Sequence, residues 1–292
     1  MHEPPRWLRD LVRFLPLKSQ FVLSGNVRDL QVTEVTPGAV TSQTLNQTLA
    51  DSLRRAGYGH AFLYQPLTGF STIAALGESS QAGDAILSQF GLTVSNGLAA
   101  AGPDILANTL EQLVNHQANP CALVVDFASR LLARSADLTP TENQLFTRAL
   151  MLSHQARSRP AGEDRRPFFN TIIWVVEREG DLPDWFLVGN RRIRHIPIAR
   201  PDPMARRALA PALLRPLTGF AQASPEVQLK AQNAFVEGTE GMLLLDMNAI
   251  AVLARVEGVS LERVSDAVRR YKVGVREDPW LKIDRDKIRE AD

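Results

Sequence analysis

Apolar positions in the first two thirds of the chain follow two alternating rhythms, short continuous runs and longer stretches spaced by three or four. Trp7, Leu8, Leu11, Val12, Phe14 and Leu15 recur between Arg6, Arg9, Asp10 and Arg13, which predicts an amphipathic helix entered through Pro5 and ended by Pro16. The continuous runs predict buried strands. The first is Phe21–Leu23, closed by Ser24-Gly25-Asn26, and the second is Ala61–Tyr64, halted by Pro66 and Gly69. Cys121–Val125, between Pro120 and Asp126, is the third, Thr171–Val176 the fourth and Ile193–Ile198 the fifth.

Between these strands the Thr- and Val-rich stretch Gln31–Gln43 predicts a hairpin about Pro37-Gly38. Leu45, Leu49 and Leu53 predict a helix stopping at Gly57, and the Gly- and Ser-rich passage 77–102 a loop with a short helix. Asp104 is the expected cap of a helix carrying Leu106, Leu110, Leu113 and Val114 on one face. A further helix is expected from Thr141, its cap, to about Ser158, facing inward through Leu145, Ala149 and Leu152, and Ser158–Pro167 reads as a mobile polar loop. Strands alternating with helices predict βαβ units and a mostly parallel sheet.

After Arg200-Pro201-Asp202-Pro203 the strand pattern stops. Leu243, Leu244, Met247, Ile250, Ala251 and Ala254 form one helical face, and Val264, Ala267, Val268 and Tyr271 form another after Ser260. The expected organisation is an α/β domain over 1–203, a small helical domain over 204–275, and a charged tail or linker over 276–292.

Composition narrows the function classes. The chain of 292 residues has a formal charge of +1, with 45% hydrophobic and 22% charged residues, so it is globular and lacks a global field for nucleic acid or anionic membranes. The single Cys121 excludes an intrachain disulfide and any multi-cysteine metal site, and the five histidines show no ligand-like spacing. No apolar run approaches the ~18 residues of a membrane span, and no signal peptide is evident at Met1-His2-Glu3-Pro4-Pro5, so a cytoplasmic location is expected.

Ligands of open parallel sheets bind at the carboxyl ends of strands, which points to Gly25-Asn26, Asp126, Glu177-Arg178 and, just before the fifth strand, Arg191-Arg192. Asp126, after four apolar residues, has the Walker B arrangement that orients magnesium on phosphates; an aspartate capping the next turn is the alternative. The phosphate cradle GxxxxGK[ST] is absent, and Ser24-Gly25-Asn26-Val27-Arg28-Asp29-Leu30 stands where it belongs. Glu177, Glu179, Asp181 and Asp184 form an acidic loop that could hold magnesium or simply be solvated. Between Arg191 and Arg207 six arginines face Asp202 alone, a local excess of five charges without interleaved aromatic residues.

In this order, Ser24-Gly25-Asn26-Val27-Arg28-Asp29, Val124-Val125-Asp126, Asn190-Arg191-Arg192-Ile193, and the end Asp266-Ala267-Val268-Arg269-Arg270-Tyr271-Lys272 with Asp278-Pro279-Trp280 resemble the AAA+ ATPase family. The likeness is to the first module of tandem, Clp-like members. It implies a P-loop NTPase-like fold, a five-stranded parallel sheet followed by a helical lid, and a possible missing second module. It matches Asp126 to the Walker B aspartate, with Phe127 in place of the glutamate that activates water. It matches Arg191 and Arg192 to arginine fingers acting on a neighbouring subunit, Gly25, Asn26 and Arg28 to the phosphate loop, and Lys272 or Arg269 to sensor two. Glu177-Arg178 occupies the sensor position after the fourth strand. The resemblance implies a degenerate nucleotide site with little or no hydrolysis by this chain alone. The partner would be itself or a related subunit in a ring, with a protein client. Two readings stay beside it: an active ATPase binding ATP and magnesium through an unconventional loop at Gly25–Asp29, and a nucleic-acid-binding module using the Arg191–Arg207 stripe.

Overall fold

The computed structural model describes residues 3–36, 38–161 and 165–274. Six strands build the central sheet: β1 (Gln20–Gly25), β4 (His60–Gln65), β5 (Gly69–Thr72), β6 (Cys121–Val125), β9 (Thr171–Val175) and β10 (Ile193–Ile198), in the order β10-β1-β9-β6-β4-β5. All neighbours are parallel except the β4/β5 hairpin. Side chains alternate across a strand. Phe21, Leu23, Val124, Ile173 and Val175 therefore enter one core, and Val22, Leu123, Val125, Ile172 and Trp174 enter the other. With both faces covered most positions are apolar, which is why the central strands read as nearly unbroken runs.

One face is covered by α1 (Arg6–Phe14) through Trp7, Leu8 and Leu11, and by α2 (Leu45–Arg55) through Leu45, Leu49 and Leu53. The other carries α3 (Gln81–Gln89), α4 (Pro103–Asn115), α5 (Pro140–Gln155) and α6 (Asp184–Leu187), with Leu87, Leu106, Leu110, Phe146 and Phe186 buried. Phe146 and Phe186 pack on Trp174 at ring separations of 5.5 and 5.7 Å. Two small hairpins complete the strands, β2 (Gln31–Thr36) with β3 (Ala39–Gln43), and β7 (Arg159–Ala161) with β8 (Arg166–Phe168).

The chain divides into two compact units; in the described residues one comprises 3–33 and 43–199, the other 34–42 and 200–274. The second holds α7 (Pro203–Leu214), α8 (Pro225–Gly238), α9 (Leu244–Val256) and α10 (Val264–Val273). Asp202 caps α7 by accepting from the Ala205 N–H at 2.7 Å, and Ser224 caps α8. Leu209, Phe235, Met247, Ile250, Val264 and Val268 are buried in it, and Tyr271 Oη donates to Asp246 Oδ1 at 2.9 Å.

The five expected strands are present in a mostly parallel sheet, and a sixth strand, the antiparallel β5, extends it beyond the five expected. Thr141 is not the cap of α5: Thr139 is, in a capping box with Glu142, because Pro140 suits the first helical position. Asp104 does not cap α4 either; Gly102 precedes Pro103 without a side-chain cap, leaving Asp104 in the first turn. Ser158–Pro167, expected as a loop, contributes to the β7/β8 hairpin. Pro37 and the tail 276–292 lie outside the described residues.

Candidate functional site

Parallel pairing brings the carboxyl ends of β1, β9, β6 and β4 to one edge of the sheet, with Gly25, Glu177, Asp126 and Gln65 at or just past them. Gly25 is required at its position: φ is +94°, and a Cβ would lie 2.7 Å from the Ile198 carbonyl oxygen. That close approach lets the chain leave β1 sharply, with the Gly25 N–H donating to Glu177 O and the Asn26 N–H to Ile198 O. Asn26 Nδ2 then donates to Asp29 Oδ2 at 3.0 Å, tying off the loop.

Asp126 is 2% exposed, and such a charge needs hydrogen-bond donors. Its Oδ1 accepts from Arg28 Nη1 at 2.6 Å and from the Phe127 N–H at 2.8 Å. Its Oδ2 accepts from Asn46 Nδ2 at 3.1 Å and Gln65 Nε2 at 3.2 Å. A carboxylate offers about four lone-pair sites, and here each has a donor. Asn46 comes from the first turn of α2, whose cap Thr44 accepts from the Gln47 N–H, so the start of this helix is turned toward Asp126. Gln65 in turn accepts from Thr68 Oγ1 at 3.0 Å, linking the β4/β5 turn to the same carboxylate.

Arg28 is held on three sides. It pairs with Asp126, lies 3.6 Å over the Phe127 ring, and faces Glu177 at 3.8 Å. Phe127 reaches beneath the guanidinium because its backbone is left-handed, φ +51°, an uncommon conformation for an aromatic residue. Glu177 also pairs with Arg130 at 3.2 Å, and its N–H donates to Ser129 Oγ. Beside this cluster Ser24 Oγ lies 2.7 Å from His195 Nε2, and His195 Nδ1 lies 3.2 Å from Glu179. Chemically the edge holds a neutralised, donor-saturated carboxylate in the place where a cation-orienting one is expected.

The structure thus brings Gly25, Asn26, Arg28 and Asp126 together and places Arg191 and Arg192 elsewhere. Gln20 pairs with Ile193 and Gly25 with Ile198, so the two arginines precede the opposite end of β10, roughly 17 Å of strand away. Both are exposed, and neither guanidinium has a hydrogen bond or ion pair among the described residues. Arg194 is engaged by Asp10 at 2.8 Å and lies 4.0 Å over Phe14, and Arg206 is 6% exposed, so the arginine stripe is not one free cationic surface. Lys272 is exposed in the last turn of α10, within the helical unit. Of the acidic loop, Glu177, Glu179 and Asp181 have partners, Asp181 accepting from Ser129 Oγ at 2.6 Å. Among the described residues no three His, Cys, Asp or Glu side chains converge as metal ligands. Cys121 is buried in β6, its thiol pushed up to about 12 by desolvation, which makes it an inert core residue.

Asn46, Gln65 and the stacking role of Phe127 escape sequence reasoning. Two neutral amides 80 and 61 positions from Asp126 leave no pattern in the chain.

The family model "AAA+ chaperone, N-terminal Rossmann-like domain" matches residues 1–199. No curated protein matches. A solved structure described as "Structure of E. coli MS115-1 HORMA:CdnC:Trip13 complex" is 13% identical over 93% of this chain and 78% of that one, with a TM-score of 0.48. No helix among the described residues is long and apolar enough to cross a membrane.

Proposed function

We propose, on the premise that this chain belongs to the AAA+ chaperone family and carries its N-terminal Rossmann-like domain, that it is a AAA+ module with a degenerate nucleotide site. It serves assembly or regulation of a protein-remodelling complex rather than hydrolysis of its own. The observation that carries the reading is the filling of all four acceptor sites of Asp126 by Arg28, Phe127, Asn46 and Gln65. A magnesium ion needs free carboxylate oxygen or its ordered water there, and the adjacent loop 24–30 contains no lysine to neutralise phosphates. These residues do not fit a magnesium nucleotide.

In this reading 1–203 is the AAA+ body, 204–275 its lid, and 276–292 the link to a further module. Arg191 and Arg192, exposed and with no guanidinium partner among the described residues, act on the phosphates of a neighbouring active subunit in a ring formed with itself or a relative. Calorimetric titration with ATP and magnesium tests the central claim. No heat at millimolar nucleotide is expected from the wild type. Micromolar binding that disappears in Asp126→Ala overturns the reading in favour of an unconventional ATPase.

A further inference from the structure

A second feature lies along the same sheet edge. The segment 131–139 follows β6 and α6 follows β9, so both leave the carboxyl ends of adjacent strands. With the start of α5 they enclose a half-open cavity of about 290 Å³, lined chiefly by Ser135, Asp137, Leu138, Asn143, Asp184 and Trp185. This lies at the small end of the ~300–1,000 Å³ of ligand pockets, room for a side chain rather than a cofactor.

Its lining departs from the habits of the rest of the molecule. Every other described aspartate except Asp104 has its carboxylate engaged, from Asp10 with Arg194 to Asp266 with Arg263 and Arg269. Asp137 and Asp184 have no hydrogen bond or ion pair to their carboxylates among the described residues, and no lysine or arginine lines the cavity. The indoles show the same contrast. Trp7 Nε1 donates to Gln31 and Trp174 Nε1 to Gln20, both rings being buried. Trp185 is 43% exposed and its N–H has no protein acceptor among the described residues.

Two carboxylates without partners among the described residues, beside a partly exposed indole, repel phosphate and suit a cation. A hard divalent ion demands about six oxygen ligands in a closed shell, which two carboxylates on a half-open wall do not supply. A planar guanidinium satisfies both features together, stacking on the indole while donating in its plane to carboxylate oxygens. We propose that this groove receives an arginine side chain of a partner protein, with Trp185 as the stacking plate and Asp137 and Asp184 as acceptors. The inference is independent of the nucleotide-site reading, since none of these residues touches Asp126.

The test follows the indole N–H resonance of Trp185 in the full chain, assigned by its loss in Trp185→Phe, during titration with Nα-acetyl-arginine methylamide. A saturable shift with millimolar half-saturation is expected. The neutral, near-isosteric citrulline analogue should leave the resonance in place. Asp137→Asn with Asp184→Asn should weaken the arginine response about tenfold or more, the equivalent of losing ~1.4 kcal/mol of charge-assisted contact. An unperturbed resonance up to about 0.1 M probe, far weaker than millimolar affinity, overturns the proposal. So does an equal shift from the citrulline analogue, or an undiminished response in the double variant.

Discussion

Burying a carboxylate at the end of a parallel strand is strongly unfavourable unless its charge is met, and at Asp126 the only cation among the described residues that meets it is Arg28. Arg28→Ala leaves three neutral donors around a buried anion, so a loss of about 2–3 kcal/mol in urea-denaturation stability is expected. Adding Asp126→Asn to that variant should recover part of the loss. A single-variant change within about 0.5 kcal/mol, the range of ordinary surface substitutions, would show that the pair is not structural. Arg28→Lys should remain destabilised, because a point charge cannot both stack on Phe127 and pair edge-on with Asp126. Two histidines supply a pH dependence of definite sign. The values of His60 and His116 are both lowered, first by burial, with Arg54 adding to the effect at His60 and Arg159 at His116. The unfolded chain therefore binds more protons in the window below about 6.5, and stability rises with pH through it. Acidification from pH 7.5 to 5.5 should lower the Tm, and His60→Gln combined with His116→Gln should flatten that dependence. An unchanged slope in the double variant would contradict the assignment.

Elements were legible where burial is complete and obscure where pairing is one-sided. β6 and β9 read directly from Cys121–Val125 and Thr171–Val175, because sheet faces covered on both sides strongly favour apolar side chains. β5 has four residues, pairs with β4 alone within the sheet, and contains one large apolar side chain, Phe70, too little for a period to show. β7 and β8 each contain a proline, Pro160 and Pro167, which sequence reasoning reads as a break; in an isolated two-stranded ribbon every strand is an edge and proline is tolerated. The candidate site divides in the same way. Asp126 announces itself by its place after a strand, whereas Asn46 and Gln65 acquire meaning only when α2 and β4 are set beside β6. At the start of α5 the displaced cap gives an element-scale prediction. Thr139 accepts from the Glu142 N–H while Glu142 accepts from the Thr139 N–H, and that backbone bond is the main reason the Glu142 carboxyl is held below its ordinary value. Thr139→Ala should cost about 1 kcal/mol, while Thr141→Ala should change little. Equal effects at the two positions in thermal denaturation would reject the observed cap.

At the scale of the whole molecule, the proposed reading separates fold from hydrolytic chemistry, because hydrolysis needs several parts at once. The hairpin of β2 and β3 stands between β1 and α2, so the loop at Gly25–Leu30 feeds a strand instead of the helix whose amides would cradle phosphate. The start of α2 instead directs Asn46 to Asp126. If the nucleotide site is degenerate as proposed, supplying a general base alone does not produce turnover. Phe127→Glu supplies a carboxylate at the position after Asp126, yet Arg28 still occupies Asp126 and the loop 24–30 contains no lysine. It also removes the ring beneath Arg28, a contact worth about 0.5–1 kcal/mol at a partly exposed site. The expected outcome is phosphate release at the wild-type background and a Tm lowered by a few degrees, with no protection by millimolar ATP and magnesium. A ligand stabilises a fold only in proportion to RT ln(1 + [L]/Kd), so an unchanged Tm at millimolar nucleotide corresponds to affinity weaker than millimolar. Magnesium-dependent phosphate release by Phe127→Glu would mean that the phosphate cradle survives in this fold without its lysine, and that the block lay in the base alone.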